Sequence, residues 1–184
     1  IHMVSAYSSA NKLVLGQIKT ENKSNEITAI PELLKMLDLR GALVSIDAMG
    51  CQTKIANAIM TQGGDYFLAV KGNQSKLAKA IKAAFNTQRA ADLDGDKIKT
   101  EIHHGRVESR RSHVLEASAL EGDFSRWKGL KTIVMVESFR AEKEASVQLS
   151  YRYYISSKEM DEEQVAKAAR EHWGIESMHW MLCL

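Results

Sequence analysis

GALVSIDAMGCQTKIANAIMTQGGDYFLAV, residues 41–70, is the stretch on which the fold turns. Ala42 to Ile46 is a continuous apolar run after Gly41. A strand without polar alternation is covered on both faces, so this one is expected in the middle of a sheet. Asp47 follows at its carboxyl end. A helix near Gln52 to Gln62 is closed by Gly63-Gly64, residues that tolerate the left-handed turn ending a helix. A second buried strand near Tyr66 to Val70 comes next. Strand, helix, strand in this order favours parallel neighbours, since parallel strands need a crossover between them.

Working outward, a third helix is expected from Ser75, with Leu77, Ile81 and Phe85 on one face. Asn86 to Thr100 is polar and marks a change of organisation. Its cluster Asp92, Asp94, Gly95 and Asp96 is not a calcium loop, because the twelfth loop position, which needs Glu, is His103. From Ile98 to Ser156 the runs Arg106 to Leu115, Thr132 to Glu137 and Leu149 to Ile155 recur without helices between them, an antiparallel signature. Part of this region reads as a β-rich insertion over 90–148. Asp161 caps a long last helix, with Gln164 three residues on and Val165, Ala168, His172, Ile175 and His179 along one side. Before Gly41, Met3 to Tyr7 and Leu13 to Ile18 read as a β-hairpin. Ile27, Ile30, Leu33, Leu34 and Leu37 form a helical face, with Ser24 or Asn25 as candidate caps and Pro31 bearable near the first turn.

With 184 residues the chain fits one domain, and 45% hydrophobic against 26% charged residues allows a real core. No apolar stretch is long enough for a membrane span, so no membrane partner is expected. The net charge of +2 is too mild to identify a nucleic-acid partner. Cys51 and Cys183 make neither a zinc cluster nor a disulfide framework, which points to unpaired thiols in a reducing cytoplasm. The chain stops at Leu184 inside a helical pattern and reads as a piece of a longer protein.

Asp47 stands where open α/β sheets place their ligands, although an Asp at a strand end also commonly bonds the following backbone. In HWGIESMHW, Glu176 has His172 one turn before it and His179 one turn after, beside Trp173 and Trp180. The competing reading is a solvated Glu176 beside a packed apolar face. His172 and His179 are not at the spacing of a helical zinc pair. Basic residues gather in KGNQ, with Lys71 and Asn73, and in HHGRVESRR, with Arg106, Arg110 and Arg111. Arg forks suit phosphate oxygens, and each cluster alone also reads as a protected sheet edge.

Together, VSAY, VLGQIKT, KSNEITAIPELLKMLDLRGALVSIDAMGCQ, GGDYFLAVKGNQ, HGRVESR and REHWGIESMHW resemble, in this order, the bacterial H-repeat-associated proteins and their insertion-sequence DDE transposase relatives. The resemblance runs from end to end, and Asn25 to Gln52 is its most specific block. It implies an α/β ribonuclease-H-like mixed sheet flanked by helices, one truncated catalytic core over 1–184 with the antiparallel insertion before the last helix. It implies two Asp and one Glu holding Mg2+ (or Mn2+) for DNA cleavage and joining, a DNA recombination chemistry. Hard cations prefer such oxygen ligands.

Carried over by position, Asp47 resembles the second Asp and Glu176 the Glu. The first Asp belongs to a strand before VSAY, in a DGK-like motif, so the fragment is expected to be inactive. Superfamily members place Tyr seven before that Glu, Arg four before and Lys seven after. Here those positions are Ala169, His172 and Cys183, so His172 takes the place of the arginine as a phosphate donor. DNA, as transposon ends and target, is the expected partner, contacted by Lys71, Asn73, Arg106, Arg110, Arg111, Arg170 and His172, with a homodimer as the expected assembly. The alternatives are a degenerate remnant that keeps only DNA binding, and a structure-specific nuclease of the same fold. Glu171 is the next candidate should Glu176 lie away from Asp47.

Overall fold

The computed structural model describes residues 2–21, 26–91, 99–103, 106–141 and 148–172. Its first elements are the antiparallel hairpin β1 (His2–Ser8) and β2 (Leu13–Thr20) and the helix α1 (Glu26–Lys35). The candidate caps Ser24 and Asn25 lie outside the described residues. Pro31 is the sixth residue of α1, a turn later than the sequence suggested, so the bond its N–H would have given to Ile27 is missing. Ala29, Ile30, Leu33 and Leu34 are buried, which holds the helix on tertiary contacts despite the proline. Ile27, assigned above to the buried face, is exposed.

The main sheet has six strands: β3 (Leu43–Ile46), β4 (Asp65–Val70), β5 (Lys99–His103), β6 (Arg106–Glu116), β7 (Thr132–Ala141) and β8 (Gln148–Ser156). Their order is β3-β4-β8-β7-β6-β5. Among the described residues only β3 and β4 run parallel, connected by α2 (Thr53–Thr61), and every later pairing is antiparallel. The sequence put Ala42 to Ile46 in mid-sheet. Among the described residues β3 is instead an edge strand, with Leu43, Val44 and Ile46 half-buried and Ser45 exposed. An apolar run reports that a strand can be covered, and only tertiary pairing says how many neighbours it has.

α3 (Ser75–Ala91) takes in Asn86 to Ala91, so the polar stretch begins as helix rather than as the expected break. α2 and α3 cover one face of the sheet, where Ile55, Ile59, Leu77, Ile81 and Phe85 pack with Tyr66, Leu68, Ile133 and Ile155. α4 (Glu162–His172) covers the other, packing Val165 and Ala168 with Phe67, Val134, Val136 and Tyr154. Phe67 stacks on Tyr154 at 4.6 Å. Each such buried side chain is worth about 1.5–3 kcal/mol. α1 ties the hairpin to this body, since Leu33 abuts the backbone of Gly16 while Ile30 and Leu34 join the core around α2.

The registers place Asp47 relative to the antiparallel strands. β4 makes its last pair through Val70 and Tyr153, yet β8 and β7 continue pairing from Val136–Arg152 to Arg140–Gln148. The antiparallel strands therefore overhang the carboxyl end of β3 and β4, the end that carries Asp47.

Candidate functional site

Asp47 is exposed just after β3. Its Oδ1 accepts the N–H groups of Met49 at 3.1 Å and Gly50 at 3.2 Å, the backbone-bonding turn that competed with the functional reading. Both bonds fall on Oδ1, which leaves Oδ2 outside them. An exposed carboxylate with one oxygen outside these bonds is the kind of oxygen ligand a hard cation takes.

The turn is closed by its own backbone and by the next loop. Cys51 N–H donates to Ala48 O at 3.2 Å, and Gln52 N–H to Gly50 O at 2.8 Å. Gln52 Nε2 reaches Met49 O at 3.3 Å. From the 3-10 turn after β4, Asn73 Nδ2 donates to Ala48 O at 2.6 Å and Gln74 Nε2 to Cys51 O at 2.9 Å. Gly50 allows this close packing, because a Cβ there would run into Ile46 Cγ2. Cys51 has no exposed surface, and burial pushes its thiol up to about 12.

The last helix brings a second group to this region. Asp161 N–H donates to Gln164 Oε1 at 3.1 Å while Gln164 N–H donates to Asp161 Oδ1 at 2.8 Å, the reciprocal cap expected from the sequence. At the other end of α4, His172 Nδ1 lies 3.3 Å from Ser45 Oγ, two residues before Asp47. Glu171 accepts from Ser9 Oγ in the hairpin turn at 3.2 Å. The carboxyl end of α4 therefore sits between β3 and the hairpin. Glu176, Trp173, His179 and Cys183 lie outside the described residues, as do His104 and Gly105. Among the described residues, no three His, Cys, Asp or Glu side chains converge as a metal set.

The structure divides the predicted basic residues. Arg110 is in step along β6 with Val114, which packs on the α4 side, whereas Arg111 points to the opposite face. There Arg111 pairs in register with Glu137, whose Oε2 is 3.4 Å from His113 Nε2. Lys71, Arg110 and Arg170 are exposed. Arg106 pairs with His103 between β6 and β5. Asn73, an exposed residue, donates its Nδ2 amide to Ala48 O. Arg152, which the sequence did not single out, follows one position past the last β4 pair, in step with Tyr154 on the α4 side. Only register could reveal it. The roles of Ser45, Gln52 and Gln74 were equally invisible, since each depends on what lies across a loop.

The chain matches the Transposase DDE domain over residues 1–182. It is 52% identical over 99% of its length to "Putative transposase YncI" of Escherichia coli O157:H7, covering 48% of that protein. It is 46% identical over 99% of its length to "H repeat-associated putative transposase YhhI" of Escherichia coli K12, covering 50% of that protein. The chain thus spans about half the length of the curated relatives it matches.

Proposed function

The chain belongs to the Transposase DDE domain family, and on that premise we propose that it supplies two of the three carboxylates, Asp47 and Glu176, of a DNA strand-cutting and strand-joining site. The observation that carries the reading is the contact of His172 with Ser45, which brings the end of α4 to the strand that ends at Asp47. Glu176 follows His172 by four residues, a span of at most about 14 Å, and Asp47 follows Ser45 by two, at most about 7 Å. That contact supports reading Asp47 and Glu176, 129 positions apart in sequence, as members of one centre.

Asp47 Oδ2 and the Glu176 carboxylate would hold the cations. Magnesium or manganese, when bound, supplies the charge that activates the attacking oxygen and neutralises the leaving 3′ oxygen. His172 orients a phosphate oxygen in the place an arginine occupies elsewhere in the superfamily. The family's first aspartate would arrive on a further strand paired with the open edge of β3, covering Leu43 to Ile46 and joining the six-stranded sheet to the hairpin. Transposon-end DNA would lie along the overhanging face marked by Lys71, Arg110, Arg152 and Arg170, mainly through phosphates. Arg111 faces away from this track.

The test is metal-dependent nicking of transposon-end duplex by a chain extended to the length of its relatives. Nicking that Asp47→Ala or Glu176→Gln abolishes supports the reading. An extended chain that stays inert with both carboxylates intact makes the protein a DNA-binding remnant. The 184-residue chain alone is expected to cleave no DNA.

A further inference from the structure

We infer that Asn73 and Gln74 are positioning residues that fix the Asp47 carboxylate through the loop beneath it. The loop from Asp47 to Gln52 has every intervening carbonyl engaged. Ala48 O accepts from Cys51 N–H and Asn73 Nδ2, Met49 O from Gln52 Nε2, Gly50 O from Gln52 N–H, and Cys51 O from Gln74 Nε2. Two of these acceptors are held by side chains from outside the loop, both in the 3-10 turn that follows β4. The amides this grip immobilises, Met49 and Gly50, are the two that bind Asp47 Oδ1. The order of dependence runs from the turn after β4, through carbonyls 48 and 51, to amides 49 and 50, and so to the carboxylate.

This geometry gives Asn73 a different task from a phosphate contact. Its amide donates at 2.6 Å to Ala48, whose residue is buried, so the bond ties one βα loop to its parallel neighbour. Parallel strands place both loops at the same end of the sheet, and the latch is what makes them one surface. The functional weight of the inference rests on the reading of Asp47 as a catalytic carboxylate. The latch itself is a statement about the loop and is tested separately.

The first measurement is amide hydrogen exchange in the 184-residue chain carrying Asn73→Asp or Gln74→Glu, near-isosteric changes that remove the donor. Exchange at Met49 and Gly50 is expected to quicken about tenfold, the loss of one typical hydrogen bond, while core amides such as Leu68 and Ile81 keep their protection. Lys71→Ala, one residue before the turn, serves as the comparison and leaves Met49 and Gly50 unchanged. Unaltered exchange at those two amides, or acceleration spread evenly over the core, overturns the latch. The second measurement uses the extended chain. Asn73→Asp lowers the nicking kcat about tenfold with KM for duplex DNA unchanged, and Asn73→Gln, which keeps a donor, recovers part of it. A raised KM with normal exchange at Met49 and Gly50 makes Asn73 a DNA contact and overturns the proposal. Should Asp47→Ala leave nicking intact, the catalytic reading fails, while the exchange result still decides the latch.

Discussion

Cys51 shows how one buried side chain ties the stability of the fold to alkaline pH. Its thiol, held up to about 12 by burial against an ordinary value of 9.0, stays neutral in the native protein after the unfolded chain has ionised. Stability from this group is complete below about pH 9 and is lost as pH rises from there towards 12, because the unfolded state then binds fewer protons. Tyr66, also raised by burial, acts in the same direction. Urea unfolding between pH 8 and 11 should show a decline beginning near pH 9, of up to about 1.4 kcal/mol per pH unit for one group. Cys51→Ala should flatten part of it, and a flat wild-type profile to pH 11 would contradict the burial argument. Gly50 is the other decisive residue. A Cβ there displaces Ile46, so Gly50→Ala should destabilise by about 1–3 kcal/mol in urea unfolding. A neutral result would mean that the Asp47 turn has room the packing denies it.

The elements differ in how much of their stability is local. α4 carries its own start signal in Asp161 and Gln164, and Asp161→Ala should cost about 1 kcal/mol in thermal or urea unfolding. Its far end is held by Ser45 and Ser9, from elements distant in sequence. α1 is the reverse case, since Pro31 breaks its hydrogen-bond ladder and burial of Ile30, Leu33 and Leu34 keeps it helical. The hairpin, α2 and the start of α3 were readable because their period, and for α2 its glycine stop, agree with the final packing. Which strands flank β3 was not, because its apolar run describes both of its faces and neither of its edges.

At the scale of the molecule, the decisive feature is one sheet whose antiparallel strands run past the end of its parallel pair. If that overhang carries DNA, binding should be governed by phosphate charge and fall steeply with salt. Arg110→Ala and Arg152→Ala should each lower the slope of log K against log salt by about 0.9, whereas Arg111→Ala on the opposite face should leave it unchanged. Titrating labelled duplex at several salt concentrations separates the cases. Equal effects from all three would place the track elsewhere, and salt-insensitive binding would assign these charges a structural role.

The sequence by itself determined the alternation of strand and helix, the reciprocal cap of α4, the Asp at the end of an apolar strand and the family. Each of these is written in neighbouring residues, through period, turn chemistry and short motifs. The tertiary structure alone decided that β4 pairs with β8, that Arg110 and Arg111 face apart, and that Asn73 grips Ala48. Those facts depend on register and on contacts between residues 25 to 127 positions apart, and no local pattern encodes which partner a strand or an amide will meet.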